Sequence, residues 1–202
     1  LGVIVNRGKG EKVLKFARKM GFTRANCLLA EGKSSHASSL LELLALDETH
    51  KEIVLLKLNK EQEEIMLHRF NEKFHFDRPY KGIAFTIPMC HPGDDTTNES
   101  DVPYAGVVTI LNENLTDEFS DFVQKNGYPG LTTIKARGAA SVVHPLMERK
   151  VESAKSIIFM IVHRNKVDKL IKLVTGRFDL ASENTGILVV NPISRVVGFT
   201  RV

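Results

Sequence analysis

The chain has 202 residues, 43% of them hydrophobic and 26% charged, with a formal net charge of +4; this is a globular composition with room for two domains of ordinary size. Its 28 Lys and Arg form no dense basic run, and with no Trp and three Tyr it lacks stacking platforms for single strands, so nucleic acid is not an expected partner. Cys27 and Cys90 make no disulfide framework, the longest apolar run (Ile157 to Val162) is far short of a membrane span, and no signal-peptide pattern opens the chain, so the cytoplasm is the expected location. A chain that opens on Leu1 rather than Met is expected to lack its natural start.

Apolar residues 3–5 predict a first strand. Val13, Phe16, Ala17 and Met20 then fall at helical spacing, and Gly21 stands where a left-handed residue ends a helix. Residues 25–30 predict a second strand, residues 33–50 a long loop, and residues 53–58 a strongly apolar third strand. Met66, Leu67, Phe70 and Phe74 mark a second helix, and residues 83–87, closed by Pro88, a last strand. Residues 90–104 hold four acidic and no basic residues among Pro, Gly, Asn and Ser, which is the composition of an acidic surface linker.

The order then returns. Strand 107–111 precedes a helix with Leu115, Phe119, Phe122 and Val123 on one face, Asn114 as its expected cap and Gly127 at its end. Strand 131–136, loop 139–154 and strand 157–162 follow, then a helix with Leu170, Ile171, Val174 and Phe178, and strand 187–190 closed by Pro192. Gly2-Val3-Ile4-Val5 matches Gly106-Val107-Val108-Thr109, the segment from Lys51 matches that from Lys155, and the segment from Lys81 matches that from Thr185, all at an offset of 104 residues. A period of that length is a whole domain rather than a solenoid unit. The expected fold is α+β: two tandem ferredoxin-like βαββαβ plaits with antiparallel four-stranded sheets, spanning residues 1–89 and 105–202 around the linker. The helices of such a plait share one sheet face, and apolar residues on both faces of the third strand predict that the other face is covered by the sister domain or another subunit.

The second copy carries Ile134-Lys135-Ala136-Arg137-Gly138 before its long loop and Thr175-Gly176-Arg177 at the end of its second helix. Thr185-Gly186-Ile187-Leu188-Val189-Val190 form its last strand, and Ile193-Ser194-Arg195-Val196-Val197 follow. In this order and spacing the chain resembles the nitrogen-regulatory PII signalling family and its PII-like relatives, as two tandem copies. The resemblance implies a regulator rather than an enzyme, an oligomer (a trimer or dimer of tandem chains), and a small effector, with ATP, ADP or AMP as candidates, bound in clefts between plaits. It also implies a partner protein regulated through the long loop, called the T-loop in that family, and no required cofactor. Gly138 matches the T-loop base, Thr175, Gly176 and Arg177 the start of the nucleotide-binding loop, and Gly186 the glycine before the last strand; Gly32, Lys33, Lys81 and Gly82 are the ligand-binding candidates of the first copy. Departures accompany these matches. Ile187 and Ile83 stand where the family has a basic residue, Gly198 and Thr200 where it has two C-terminal arginines with Arg201 one step displaced, and Ala140 where it has a T-loop glutamine; neither long loop contains Tyr.

Other motifs are plainer. Gly8-Lys9-Gly10 is a bare GxG, read as a turn rather than a phosphate cradle. His36, His50, His144 and the Cys90-His91 pair have no metal-ligand spacing, so no metal is expected. Ser34, Ser35, Ser38, Ser39 and Ser141 are read as loop polarity, and Leu40-Leu41-Glu42-Leu43-Leu44-Ala45-Leu46 as a short helix that packs internally. No nucleophile-elbow signature occurs, and Glu63-Glu64 are expected on a solvated helix face. Two readings stay beside the regulator: a structural or interaction module that binds no ligand, and a metal-responsive plait protein.

Overall fold

The structure is a computed structural model that describes residues 1–22, 25–33, 50–78, 81–88, 102–143, 150–180, 182 and 185–199. It is a mixed α/β fold with a large antiparallel sheet and, among the described residues, four α-helices. In the N-terminal half β1 (Gly2–Asn6), α1 (Gly10–Lys19), β2 (Ala25–Lys33), β3 (His50–Leu56), α2 (Glu63–Phe74) and β4 (Ile83–Thr86) follow in order. The C-terminal half contains β5 (Tyr104–Asn112), α3 (Thr116–Lys125), β6 (Leu131–Val143), β7 (Lys150–His163), α4 (Val167–Phe178), β8 (Gly186–Ile193) and β9 (Arg195–Val197).

Side-chain alternation assigns the two faces of every strand. Val3, Val5, Val54, Leu56 and Ala84 pack against Val13 and Ala17 of α1 and Met66, Leu67 and Phe70 of α2. Likewise Val107, Leu111, Ile158, Met160 and Val162 pack against Phe119 and Val123 of α3 and Leu170, Val174 and Phe178 of α4. The intervening residues point the other way and build a third core: Ile4, Ala30, Ile53 and Phe85 from the N-terminal half meet Ile161 and Ile193 from the C-terminal half, with Phe159, Ile134 and Tyr104 packed alongside. The face of each half that carries no helix is therefore covered in part by the other half, with Leu28, Leu55, Ile187 and Val189 on these faces left exposed. Phe85 stacks on Phe159 with ring centroids 5.0 Å apart.

The helix ends match in detail. Phe22 N–H bonds Ala17 C=O and Gly21 N–H bonds Arg18 C=O, while Tyr128 N–H bonds Val123 C=O and Gly127 N–H bonds Gln124 C=O, all at 3.0 Å. Both are Schellman turns, with Gly21 (φ +90°) and Gly127 (φ +83°) in the left-handed position. The cap expected at Asn114 is displaced: Asn112 precedes a 3-10 turn over Glu113–Leu115, and Leu115 is the residue before α3.

The strands do not form two separate sheets. Their order is β8-β5-β7-β6-β2-β3-β1-β4-β9, one nine-stranded sheet joined at the β2–β6 edge. β8 and β9, at opposite ends of that order, are separated in the chain only by Ser194, so the sheet curls until its ends adjoin. β9, absent from the sequence reading, crosses from the C-terminal half to pair with β4 through Ala84↔Val197, Phe85↔Val196 and Thr86↔Arg195. Pro192 does not close β8 but lies within it, opposite Ala105; β8 is an outer strand of the order, where a missing N–H is tolerated.

The second long loop is also shorter than expected. β6 and β7 pair out to Val143↔Lys150, and a register shift between Arg137 and Ser141 absorbs Gly138, Ala139 and Ala140. β-branched Val142 and Val151 continue the ladder on either side, and the small residues that read as a strand end are instead a bulge. Residues 144–149, the linker residues 89–101 and the loop residues 34–49, with His36, Cys90, His91, His144 and the Leu40–Leu46 run, lie outside the described residues.

Registers correct the repeat itself. Ile4 pairs with Ile53 and Ile83, and Ile110 pairs with Ile157 and Ile187. The third and fourth strands of each half therefore keep the 104-residue offset, whereas Ile4 corresponds to Ile110, an offset of 106. α1 and α3 obey the same 106. The two-residue change lies between the second and third strands, and it misaligned the Gly2-to-Val5 segment.

Replacing Phe85 by Ala is expected to lower unfolding stability by about 3–5 kcal/mol, because it opens a cavity between the halves. Leu55→Ala, on the same face but 42% exposed, is expected to cost about 1 kcal/mol, well under the loss for a fully buried large side chain. Urea unfolding of both variants checks this, and equal midpoints would show that the third core does not hold the halves together.

Candidate functional site

The two halves carry matching polar contacts near the ends of their first strands. Lys51 Nζ donates to Asn6 Oδ1 at 2.6 Å, and Lys155 Nζ donates to Asn112 Oδ1 at 2.6 Å. Each lysine opens toward its helix-free face, since Lys51 lies opposite Ala30 and Lys155 opposite Ala136. Sequence reasoning missed both pairs. Lys51 and Lys155 agree at the 104-residue offset, but Asn6 and Asn112 agree only at 106, so a single-offset comparison conceals them.

A second matched contact ties each first helix to the third strand. Gly10 N–H donates to Glu52 Oε2 at 2.6 Å, and at the equivalent place Thr116 Oγ1 donates to Ser156 Oγ at 2.7 Å. Glu52 supplies a carboxylate to the first turn of α1, where the helix dipole favours negative charge. A Cβ at Gly10 would stand 2.6 Å from that carboxylate oxygen. The GxG segment is thus the turn it was read to be, with Gly8 at φ +82°, and the protein's own carboxylate takes the amide that a phosphate would use. Partial burial pushes the nearby Cys27 thiol up, and the Glu52 and Glu11 carboxylates add to this; such a thiol is a poor nucleophile at neutral pH.

The ligand-binding candidates of the N-terminal half fall in two structural positions. Gly32 and Lys33 pair with Thr132 and Leu131 in the β2–β6 seam. A Cβ at Gly32 would lie 2.8 Å from Lys51 Cε, so the glycine makes room for that lysine to cross toward Asn6. Lys81 is exposed beside Gly82. Gly82 (φ +127°) lies against the Ile4 carbonyl, and Gly198 (φ +81°) approaches the Gly82 carbonyl so closely that a Cβ there would overlap it. The C-terminal segment therefore passes over Gly82, and a glycine at position 198 permits this approach. Ser194 N–H bonding Thr86 C=O at 3.0 Å and Phe199 packing edge-on to Tyr104 hold the segment in place.

In the C-terminal half, Thr175, Gly176 and Arg177 occupy the last turn of α4. Arg177 donates to the Glu118 carboxylate on α3 and lies 6.0 Å over the Phe178 ring, so its guanidinium bridges two helices. Gly176 is exposed, with nothing within 4 Å of a would-be Cβ. The following turn is set by its own side chains: Asp179 adopts φ +48°, Ser182 Oγ donates to Asp179 Oδ2 at 2.5 Å, and Thr185 Oγ1 donates to the Asp179 and Ser182 carbonyls at 2.8 Å. Gly186 opens β8 with its Cα packed on β5, where a Cβ would stand 2.6 Å from the Ile110 carbonyl. Gly138 is placed on β6, in the bulge. The structure thus places Thr175–Arg177 at the end of α4 and Gly186 at the start of β8, and sets Gly138 on a different strand. A depression of about 490 Å³ lies by Asn112, Glu113, Asn114 and Ala154, beside the Lys155–Asn112 contact.

Glu64 is exposed as expected, with Arg195 Nη2 3.3 Å from its Oε2 in a surface pair, whereas half-buried Glu63 departs from the expectation because Thr86 Oγ1 of β4 donates to its carboxylate. Among the described residues, no group of three His, Cys, Asp or Glu is placed to hold a metal ion, and no helix is long and apolar enough to cross a membrane.

No protein-family model matches the chain, and no curated protein matches it. Among solved structures it is similar to PII of Arabidopsis thaliana bound to citrate, at 20% identity over 47% of this chain and 79% of that one, with a TM-score of 0.38. It is also similar to B. subtilis GlnK, at 15% identity over 44% of this chain and 82% of that one, with a TM-score of 0.32, and to the B. subtilis GlnK–ATP complex at the same identity and coverage, with a TM-score of 0.31. Each likeness spans under half of this chain, and the fold described above rests on the chain's own registers.

Two glycines separate packing from exposure. Gly186→Ala is expected to lower the melting temperature through its clash with the Ile110 carbonyl. Gly176→Ala, on an exposed helix surface, is expected to raise stability by up to about 1 kcal/mol through helix propensity. Thermal melts of the two variants check the contrast, and a tolerated Gly186→Ala would contradict the close approach of β8 to β5.

Proposed function

We propose that this chain is a tandem pair of PII-like ferredoxin-like plaits, residues 1–89 and 105–202, acting in the cytoplasm as a regulatory protein rather than an enzyme. It binds a small effector, an adenine nucleotide (ATP, ADP or AMP), and conveys its presence to a partner protein through the long loops. It requires no cofactor or metal, does not bind nucleic acid, and assembles as a homo-oligomer. The observation that carries this reading is the agreement between the halves: the same element order, the same strand order, equivalent registers, paired Schellman turns and the repeated Lys–Asn contact.

The effector belongs to the C-terminal half on this reading. Gly198 passes over Gly82, whereas Gly186, packed on Ile110, Leu111 and Leu180, has no counterpart of Gly198 among the described residues. Gly138, Thr175, Gly176, Arg177 and Gly186 are its candidate contacts. Arg177 would have to exchange Glu118 for phosphate, which is a small step because both side chains are about half exposed and such a surface pair contributes little. Gly32, Lys33, Lys81 and Gly82 are the corresponding candidates of the N-terminal half, where Gly32 and Lys33 also pair in the β2–β6 seam and Gly198 passes over Gly82.

A specific observation favours the second reading, a structural or interaction module without a ligand. Gly82, Gly186 and Gly32 each have a packing reason to be glycine, and Arg177 has a protein partner. Titration calorimetry with ATP, ADP, AMP and 2-oxoglutarate separates the two. The regulator predicts heat with at least one nucleotide and about a tenfold weaker response in Arg177→Ala, the loss of one charge-assisted contact. Silence with all nucleotides at millimolar concentration leaves the structural module, whose partner capture would be indifferent to them. Elemental analysis of the purified chain decides the metal-responsive alternative.

A further inference from the structure

The two ends of the sheet are treated differently, and the difference identifies a docking edge. In the N-terminal half, the outer edge of β4 receives β9, and Phe85 and Thr86 are 3% and 4% exposed. Register makes β8 the counterpart of β4, since Ile83 faces Ile4 as Ile187 faces Ile110. On β8, Val189 takes the place of Phe85, yet Val189 is 44% exposed and Ile187 58% exposed. Among the described residues, β8 pairs with β5 on one side and its Gly186-to-Val190 stretch carries no strand on the other.

An edge of this kind is normally blunted by lysine, proline or a bulge. β8 has no charged residue at all, and its proline, Pro192, comes after that stretch. At the 104-residue offset from Arg195, Val196 and Val197 the sequence has His91, Pro92 and Gly93, which lie outside the described residues; among the described residues β8 has no counterpart of β9.

We propose that the edge of β8 left unpaired among the described residues pairs antiparallel with β8 of a second copy of this chain, extending the sheet across a two-fold axis. An uncharged strand meets itself without like-charge repulsion, and a two-fold contact is self-complementary by construction. Ile187 and Val189 of both copies then form one apolar patch. That patch continues, through half-buried Val108, Ile110 and Ile157 on the same face, into the core between the halves at Phe159 and Ile193. The dimer thus completes an interface already present within each chain. It gives the assembly part of the reading above a definite surface, and it stands or fails independently of effector binding.

Light scattering on the size-separated full chain tests it. The wild type is expected at twice the chain mass of 22.6 kDa, and Ile187→Lys/Val189→Lys at the chain mass with unchanged circular dichroism, since both side chains are already exposed. A wild type at one or three chain masses, or a dimer that the two lysines leave intact, overturns the proposal. Should the double variant fail to fold, single cysteines at residues 187–190 in a Cys27→Ser/Cys90→Ser background replace it. Oxidation is expected to give a disulfide-linked dimer at a central position of the antiparallel pair, and no crosslink at any of the four positions overturns the proposal. Calorimetry with nucleotide on the monomeric double variant keeps this outcome distinct from the regulatory reading, because the two results vary separately.

Discussion

The constraint on which the rest of this fold depends is the need of each four-strand group to cover two faces with only two helices. Alternation forces it. β1 places Val3 and Val5 under the helices and Ile4 on the opposite side, and β3 does the same with Val54 and Leu56 against Ile53. An apolar face left in water would forgo roughly 25 cal/mol for each Å² it fails to bury. The halves answer by facing each other, and the edge contacts β2–β6 and β4–β9 follow from that arrangement, because sheets brought face to face can join where they curl together.

Facing sheets then determine what the glycines do. Gly82 and Gly198 meet where the C-terminal segment passes over the N-terminal half, and Gly32 clears the path of Lys51. These glycines look, in sequence, like the loop glycines of a phosphate site, because both tasks require backbone or another group where a Cβ would stand. Only placement separates them. The same holds for Arg177, whose position at a helix end suits an anion, while Glu118 on the adjacent helix already satisfies it.

Much of the fold was legible because it depends on patterns local in sequence. The stripe Val13, Phe16, Ala17, Met20 and the glycine after it foretold α1 and its Schellman turn, and the apolar runs foretold every central strand. Elements whose existence depends on distant partners were not legible. Arg195, Val196 and Val197 form a strand only because β4 presents a free edge, and Val142 and Val151 continue their hairpin across a bulge that resembles a strand end. The Lys51–Asn6 and Lys155–Asn112 contacts were hidden for a different reason: the repeat changes offset within the chain, so the most telling identity between the halves falls on residues that a single-offset comparison never aligns.

The halves are equivalent in order but unequal in burial, and the inequality has a direction. Ile4, Ile53 and Phe85 are buried in the shared core, whereas their counterparts Ile110, Ile157 and Val189 are half-buried or exposed; Phe159 is packed there, whereas its counterpart Leu55 is 42% exposed. The two halves of the sheet are therefore offset across the shared core rather than stacked symmetrically. A symmetric stack would need both last strands to be followed by a strand capable of crossing to the other half. Val196 and Val197 provide that crossing after β8 and close the edge of β4. Among the described residues no strand lies on the outer edge of β8, and Ile187 and Val189 on that strand stay exposed. A single crossing strand is thus sufficient to bury one end of the described sheet more deeply than the other.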